Sequence, residues 1–257
     1  MYLEEFEKLV SIMHRLRKEC PWDKEQTPQT LRQYILEEAY ETVETIDEEN
    51  WPELKKELGD LLLQVVFQAE IAQEEKRFEL HEVIAHINNK LIERHHHVYG
   101  DVEVNDSNDV RDNWEQIKFK SEKRKSLLQG IPRNLSALLR AQRLQDKASQ
   151  SGFDWDNPAD VLDKVKEELS ELESAKNQVE LEEEMGDLLF SIVNYCRFKN
   201  INAEDAIRKT NKKFTDRFQY IERKLAESGE TMKARPVEEL DQLRDEAKAI
   251  ERGNKSE

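Results

Sequence analysis

At 257 residues the chain can form one large or two ordinary domains, and 7 glycines with 6 prolines are too few for the tight turns of an all-β fold. Lysine and arginine total 40 against 56 aspartates and glutamates; the formal charge of −16 excludes a general binder of the nucleic-acid backbone, so an anionic ligand needs a local cationic device. No apolar run approaches the ~18 residues of a membrane span, the acidic start MYLEEFEKLV is unlike a secretory leader, and Cys20 and Cys196 lack CxxC spacing, which fits a reducing cytoplasm.

In chain order, a leading helix runs into a loop marked by Trp22 and Asp23, and LRQYILEEAYETV at 31–43 then reads as a helix carrying an EExxE pattern. ENWP at 49–52 breaks it, and ELGDLLLQVV at 57–66 opens a second helix with an ExxD pattern. A further helix contains NNKLIER at 88–94, followed by His95, His96 and His97. Glu93 and His96 form the one ExxH in the sequence, whereas a di-iron bundle needs that motif twice, so the histidines read as a helix-end cluster.

The order then repeats. Trp155 and Asp156 stand in a loop, Asn157 and Pro158 signal a helix start, and VLDKVKEELSELE at 161–173 aligns Glu167, Glu168 and Glu171 with Glu37, Glu38 and Glu41. EMGDLLFSIV at 184–193 matches the first ExxD helix, and NKKFTDR at 211–217 matches NNKLIER. The expectation is an all-α protein of two duplicated helical bundles with four-helix cores, covering 1–120 and 138–257. Residues 121–137, with basic residues ahead and then Gly130 and Pro132, form a solvated linker between them.

At ~100° per residue, Glu184 and Asp187 lie about 60° apart on their helix. Met185, Leu188, Leu189, Phe190, Ile192 and Val193 fill most of the remaining circumference, and Glu57 with Asp60 repeats the arrangement. Such a helix belongs inside the protein, with its acidic stripe on an internal or inter-subunit site. Within EExxE the last glutamate is a helical neighbour of both earlier ones, a repulsive set that a cation resolves. An all-oxygen donor set selects Mg²⁺, Mn²⁺ or Ca²⁺ over Zn²⁺, and of these Mg²⁺, with Mn²⁺ possible in its place, keeps waters and binds substrate phosphates readily. Lys213 and Arg217, four apart beside Asn211, and Lys90 and Arg94 beside Asn88, supply charge suited to a polyphosphate.

These motifs, from IMHRLRKECPWDKEQT through EEAYE and ELGDLLLQVVFQAE to SGFDWDN, EEEMGDLLFSIVNYCR and NKKFTDRF, resemble the MazG family of tandem nucleoside triphosphate pyrophosphohydrolases, within the all-α NTP pyrophosphatase superfamily. The resemblance implies Mg²⁺-dependent hydrolysis of nucleoside triphosphates, broad over NTPs and dNTPs, to monophosphate and pyrophosphate, by a homodimer. It implies Glu168, Glu171, Glu184 and Asp187 as metal ligands and Lys164, Lys213 and Arg217 as phosphate contacts, with Glu168 also facing substrate. Glu167 is the candidate to hold or deprotonate the water. Arg244 stands where the family often has a tryptophan against the base.

The corresponding first-copy residues are Glu38, Glu41, Glu57 and Asp60 for metal, and Glu37, Lys90 and Arg94 for substrate. Tyr34 and Leu36 replace Lys164 and Lys166, and Asn89 replaces Lys212, so the first copy is expected to be the weaker site. Two other readings are a narrow house-cleaning enzyme for dUTP, dCTP or modified nucleotides, and a non-catalytic helical interaction module.

Overall fold

The computed structural model describes residues 1–100, 126–229 and 231–253, and none of them is in a strand. The chain forms two compact units, Met1–Lys118 and Phe119–Glu257. Residues 121–125, the basic part of the expected linker, lie outside the described residues.

In the first unit α1 (Tyr2–Glu19) leads into a short α2 (Pro21–Glu25), and α3 (Arg32–Asp47) carries EExxE. The helix α4 (Trp51–Glu74) carries ExxD, and α5 (Leu80–Arg94) and a single turn α6 (His96–Tyr99) follow. Local chemistry sets these boundaries. Glu49 adopts a left-handed φ of 54° after α3, and the side chain of Asn50 then caps α4 by accepting from the Glu53 N–H at 3.3 Å, with Pro52 in the first turn. The short turn makes α3 and α4 an antiparallel pair, and α4 also packs on α1 and α5. Met13, Leu31, Val66, Phe67 and Ile71 form the core between them.

The second unit repeats the plan with α7 (Ala137–Ser149), the EExxE helix α8 (Pro158–Ser174), the ExxD helix α9 (Gln178–Phe198), α10 (Ala203–Glu227) and a terminal α11 (Val237–Gly253). Asn157, Asn177 and Asn202 cap α8, α9 and α10 through their side chains. Here α9 is the hub, packing on α8, α7 and α10, while α11 packs on α10. Among the described residues no helix is long and apolar enough to cross a membrane.

The ExxD helices are less enclosed than their apolar circumference predicts. In α4 the buried residues fall between Gln64 and Ala72, beyond the acids. Leu58, Leu62 and Val65 stay 51%, 42% and 45% exposed, and their counterparts Met185, Leu189 and Ile192 stay 44%, 49% and 40% exposed. Both copies therefore leave the same i, i+4, i+7 apolar stripe uncovered within their own unit.

Candidate active site: two carboxylate clusters and a cavity

The antiparallel pairing of each EExxE helix with its ExxD helix brings acids from both into one place. Glu168, Glu171 and Glu184 each offer a carboxylate oxygen with all three within 4.8 Å of one another, and Glu38, Glu41 and Glu57 do the same in the first unit. The fourth acid of each set is close enough to act on the others. Burial, then Glu171, Asp187 and Glu168, push the Glu184 carboxyl above its ordinary range. Burial and Asp60 push Glu38 up, and Glu57 is raised by burial and by Glu41. Compact sets of oxygen donors that raise each other's affinity for protons also suit a hard divalent cation.

A cation stands beside the second cluster. Lys164 Nζ lies 2.7 Å from Glu167 Oε1 and 2.8 Å from Glu168 Oε1, and these two contacts raise its pKa, keeping it charged. Glu168 is buried, whereas Glu167 is exposed. In the first unit Tyr34 holds the position of Lys164, packs on the core and meets Trp22 edge-on, with ring centroids 6.1 Å apart. Lys166 turns away to Asp163 at 2.7 Å.

A cavity of about 320 Å³ adjoins the second cluster. Lys164, Glu168 and Asp187 line its charged part; Leu144, Phe153, Trp155 and Phe190 supply apolar wall. Two polar devices there have no motif in the sequence. Arg197 pairs through both guanidinium Nη atoms with Asp154, and its Nε donates to Asn194 Oδ1 at 3.0 Å, so the Trp155 loop is latched to α9. The first unit latches its loop differently: Arg17 on α1 pairs with Glu74 on α4 and donates to the carbonyls of Asp23 and Gln26. The second device is Gln145, buried in the wall, whose Oε1 has no hydrogen-bond partner. In the first unit Gln64 Oε1 and Thr42 Oγ1 are likewise buried without one.

The other cations of the sequence reading lie apart from this cavity. Lys213, Arg217 and Arg244 are not among its lining residues. Arg217 on α10 donates from Nε and Nη2 to Glu251 on α11 at 3.1 and 2.8 Å, and Arg244 pairs with Asp241 at 3.0 Å. Lys90 and Arg94 lie one turn apart on α5, and Glu37 lies on α3 next to Glu38, whose carboxyl it helps to raise. Cys20 and Cys196 are free thiols.

The sequence pattern of the MazG nucleotide pyrophosphohydrolase domain matches residues 26–99 and again 157–222. Over 247 residues the chain is 47% identical to the nucleoside triphosphate pyrophosphohydrolase/pyrophosphatase MazG of Thermotoga maritima, with 95% of each chain covered. Over 260 residues it is 43% identical to the nucleoside triphosphate pyrophosphohydrolase of Escherichia coli K12, covering 97% of this chain and 99% of that one.

Proposed function

The chain belongs to the MazG nucleotide pyrophosphohydrolase family, and from that premise we propose that it hydrolyses nucleoside triphosphates, ribo and deoxy alike, at the α–β phosphoanhydride. A water oxygen bonds to the α-phosphorus, the bond from that phosphorus to the α–β bridging oxygen breaks, and pyrophosphate leaves with that oxygen. The observation that carries this reading is the cluster of Glu168, Glu171 and Glu184 with Lys164 at the charged part of a mainly apolar cavity. Oxygen donors from two helices suit a polyphosphate-bound cation, and the apolar wall suits an organic group attached to it.

Glu168, Glu171, Glu184 and Asp187 would hold Mg²⁺, or Mn²⁺ in its place, because the donor set is all carboxylate oxygen. That ion, when bound, neutralises phosphate oxygens and makes the attacking water more acidic. Glu167, exposed and outside the three-oxygen cluster, accepts the water's proton. Lys164 already bridges Glu167 and Glu168, so a small swing puts its charge on the phosphates. Lys213 and Arg217 are assigned to the phosphates by family likeness, and Arg217 exchanges Glu251 for phosphate in this reading.

The first copy keeps Glu38, Glu41, Glu57 and Asp60 but has Tyr34 bound into its core where the second has Lys164, so it serves as the weaker site. A homodimer is supported by the two matching exposed stripes, which a second copy would cover. Free thiols at Cys20 and Cys196 suit the reducing cytoplasm. The test is pyrophosphate release from a panel of triphosphates with Mg²⁺, for wild type and Glu171→Ala. Release across the panel, lost in the variant, supports the reading. Triphosphates left intact by the wild type would favour a non-catalytic helical module, and cleavage confined to one or two would favour a narrow house-cleaning enzyme.

A further inference from the structure

The two carboxylate clusters share a donor set but differ in what already holds it. In the second unit Lys164 Nζ lies 2.8 Å from the buried carboxylate of Glu168 and 2.7 Å from Glu167. Lys164 and Glu168 are four apart on α8, so the helix itself presents the ammonium to the acid. A divalent ion that binds this oxygen of Glu168 has to take it from a charge-assisted hydrogen bond. In the first unit Tyr34 stands at that position and is packed on the core. Lys56, the neighbour of Glu57 in sequence, pairs with Glu53 at 2.6 Å instead. The first cluster also carries an acceptor in want of a donor. Gln64 lies one turn beyond Asp60 on the same face of α4, and helical side chains lean toward the N-terminus, which aims Gln64 at the acids. Its Oε1 is buried with no hydrogen-bond partner, and a divalent ion that keeps its waters brings the missing O–H.

We propose that Lys164 competes with the divalent ion for Glu168, so that the second cluster takes its ion weakly until a polyphosphate draws the lysine away, whereas the first cluster holds an ion without any nucleotide. The proposal rests on the hydrolytic reading above for the polyphosphate and adds an order of events to it. When a triphosphate arrives with its ion, the ion takes the Glu168 oxygen and the ammonium moves to a phosphate oxygen. Each charge exchanges one partner for another, and none is left buried and unpaired on the way. Nucleotide and ion thus favour each other at the second cluster, because each removes what opposes the other. The first cluster has no lysine to displace, and its ion serves the fold of that unit by holding together acids from α3 and α4 that otherwise repel.

The experiment titrates Mn²⁺ into the full chain without nucleotide, counting the free ion by electron paramagnetic resonance. Glu171→Ala isolates the first cluster, Glu41→Ala isolates the second, and circular dichroism confirms that each variant is folded. The Kd of the first cluster is expected to lie at least about tenfold below that of the second, the cost of displacing one hydrogen bond to a charged group. Adding Lys164→Met to Glu41→Ala should bring the two values within about threefold. Lys166→Met in the same background removes an equal charge from the same helix, but Lys166 pairs with Asp163, and its effect should stay under about twofold. Uncleavable α,β-methylene ATP, with bound Mn²⁺ read from water-proton relaxation, should tighten the ion more in Glu41→Ala than in Glu41→Ala with Lys164→Met. Equal Kd values for the two clusters overturn the proposal, as does a first cluster that binds no Mn²⁺. Equal effects of Lys164→Met and Lys166→Met, or equal tightening by the nucleotide with and without Lys164, overturn it as well. These titrations need no turnover, so a failure of hydrolysis and a failure of this competition are read separately.

Discussion

Glu184 stands among Glu171, Asp187 and Glu168, and burial together with their repulsion holds its carboxyl above the ordinary range. A carboxyl whose pKa rises on folding weakens the fold at pH values above that pKa, and the penalty disappears as the pH falls through it. Glu184→Gln is therefore expected to melt above wild type in EDTA at neutral pH, with the difference shrinking as the pH is lowered. Added Mg²⁺ should raise the melting temperature of wild type more than that of the variant, which keeps only the first-copy cluster intact; thermal melts across pH, with and without the ion, check both signs. Lys164 is the cation at the carboxylates that the first copy lacks, since Tyr34 takes its place there. Lys164→Tyr should lower kcat/KM by about 10²-fold, the effect of losing one well-placed charge donor, and equal rates for variant and wild type would remove Lys164 from the reaction.

Helix geometry explains why some features could be read in advance and others could not. The pairing of EExxE with ExxD follows from periodicity and a short connection, so the sequence itself marks Glu168, Glu171 and Glu184 as one set, and the fold brings them together. Periodicity also shows that Leu189 and Ile192 are on an apolar face, but it is silent on whether the cover comes from the same unit; both remain exposed here. The Arg197–Asp154 latch and the Gln145–Phe190 bond join residues more than forty positions apart, and single polar residues of that kind leave no periodic trace. Spacing together with family resemblance assigns Arg217 to a phosphate, whereas in the fold it pairs with Glu251. At this scale Leu189→Asp should shift the protein toward monomer in sedimentation, because the stripe that carries it is the proposed contact between copies. Asn177 caps α9 by accepting from the N–H groups of Val179 and Glu180 at 3.0 and 3.1 Å. Its replacement by alanine should cost about 1 kcal/mol, a loss of roughly 2–4 °C in Tm for a chain of this size.

Duplication gives the molecule two acidic sites of the same layout but unequal surroundings. Each has three carboxylate oxygens within 4.8 Å, yet among the described residues only the second has a lysine bridging the glutamates of its EExxE helix. From that difference we expect catalysis to concentrate in the second copy. Glu41→Ala should leave most of the activity, whereas Glu171→Ala should remove nearly all of it while circular dichroism stays unchanged. The most direct measurement is the rate of pyrophosphate release from nucleoside triphosphates with Mg²⁺ by wild type, Glu41→Ala and Glu171→Ala, side by side. The account predicts turnover in the first two and a loss of at least about 10²-fold in the third. Undiminished release by a folded Glu171→Ala protein, or none by wild type, would contradict it.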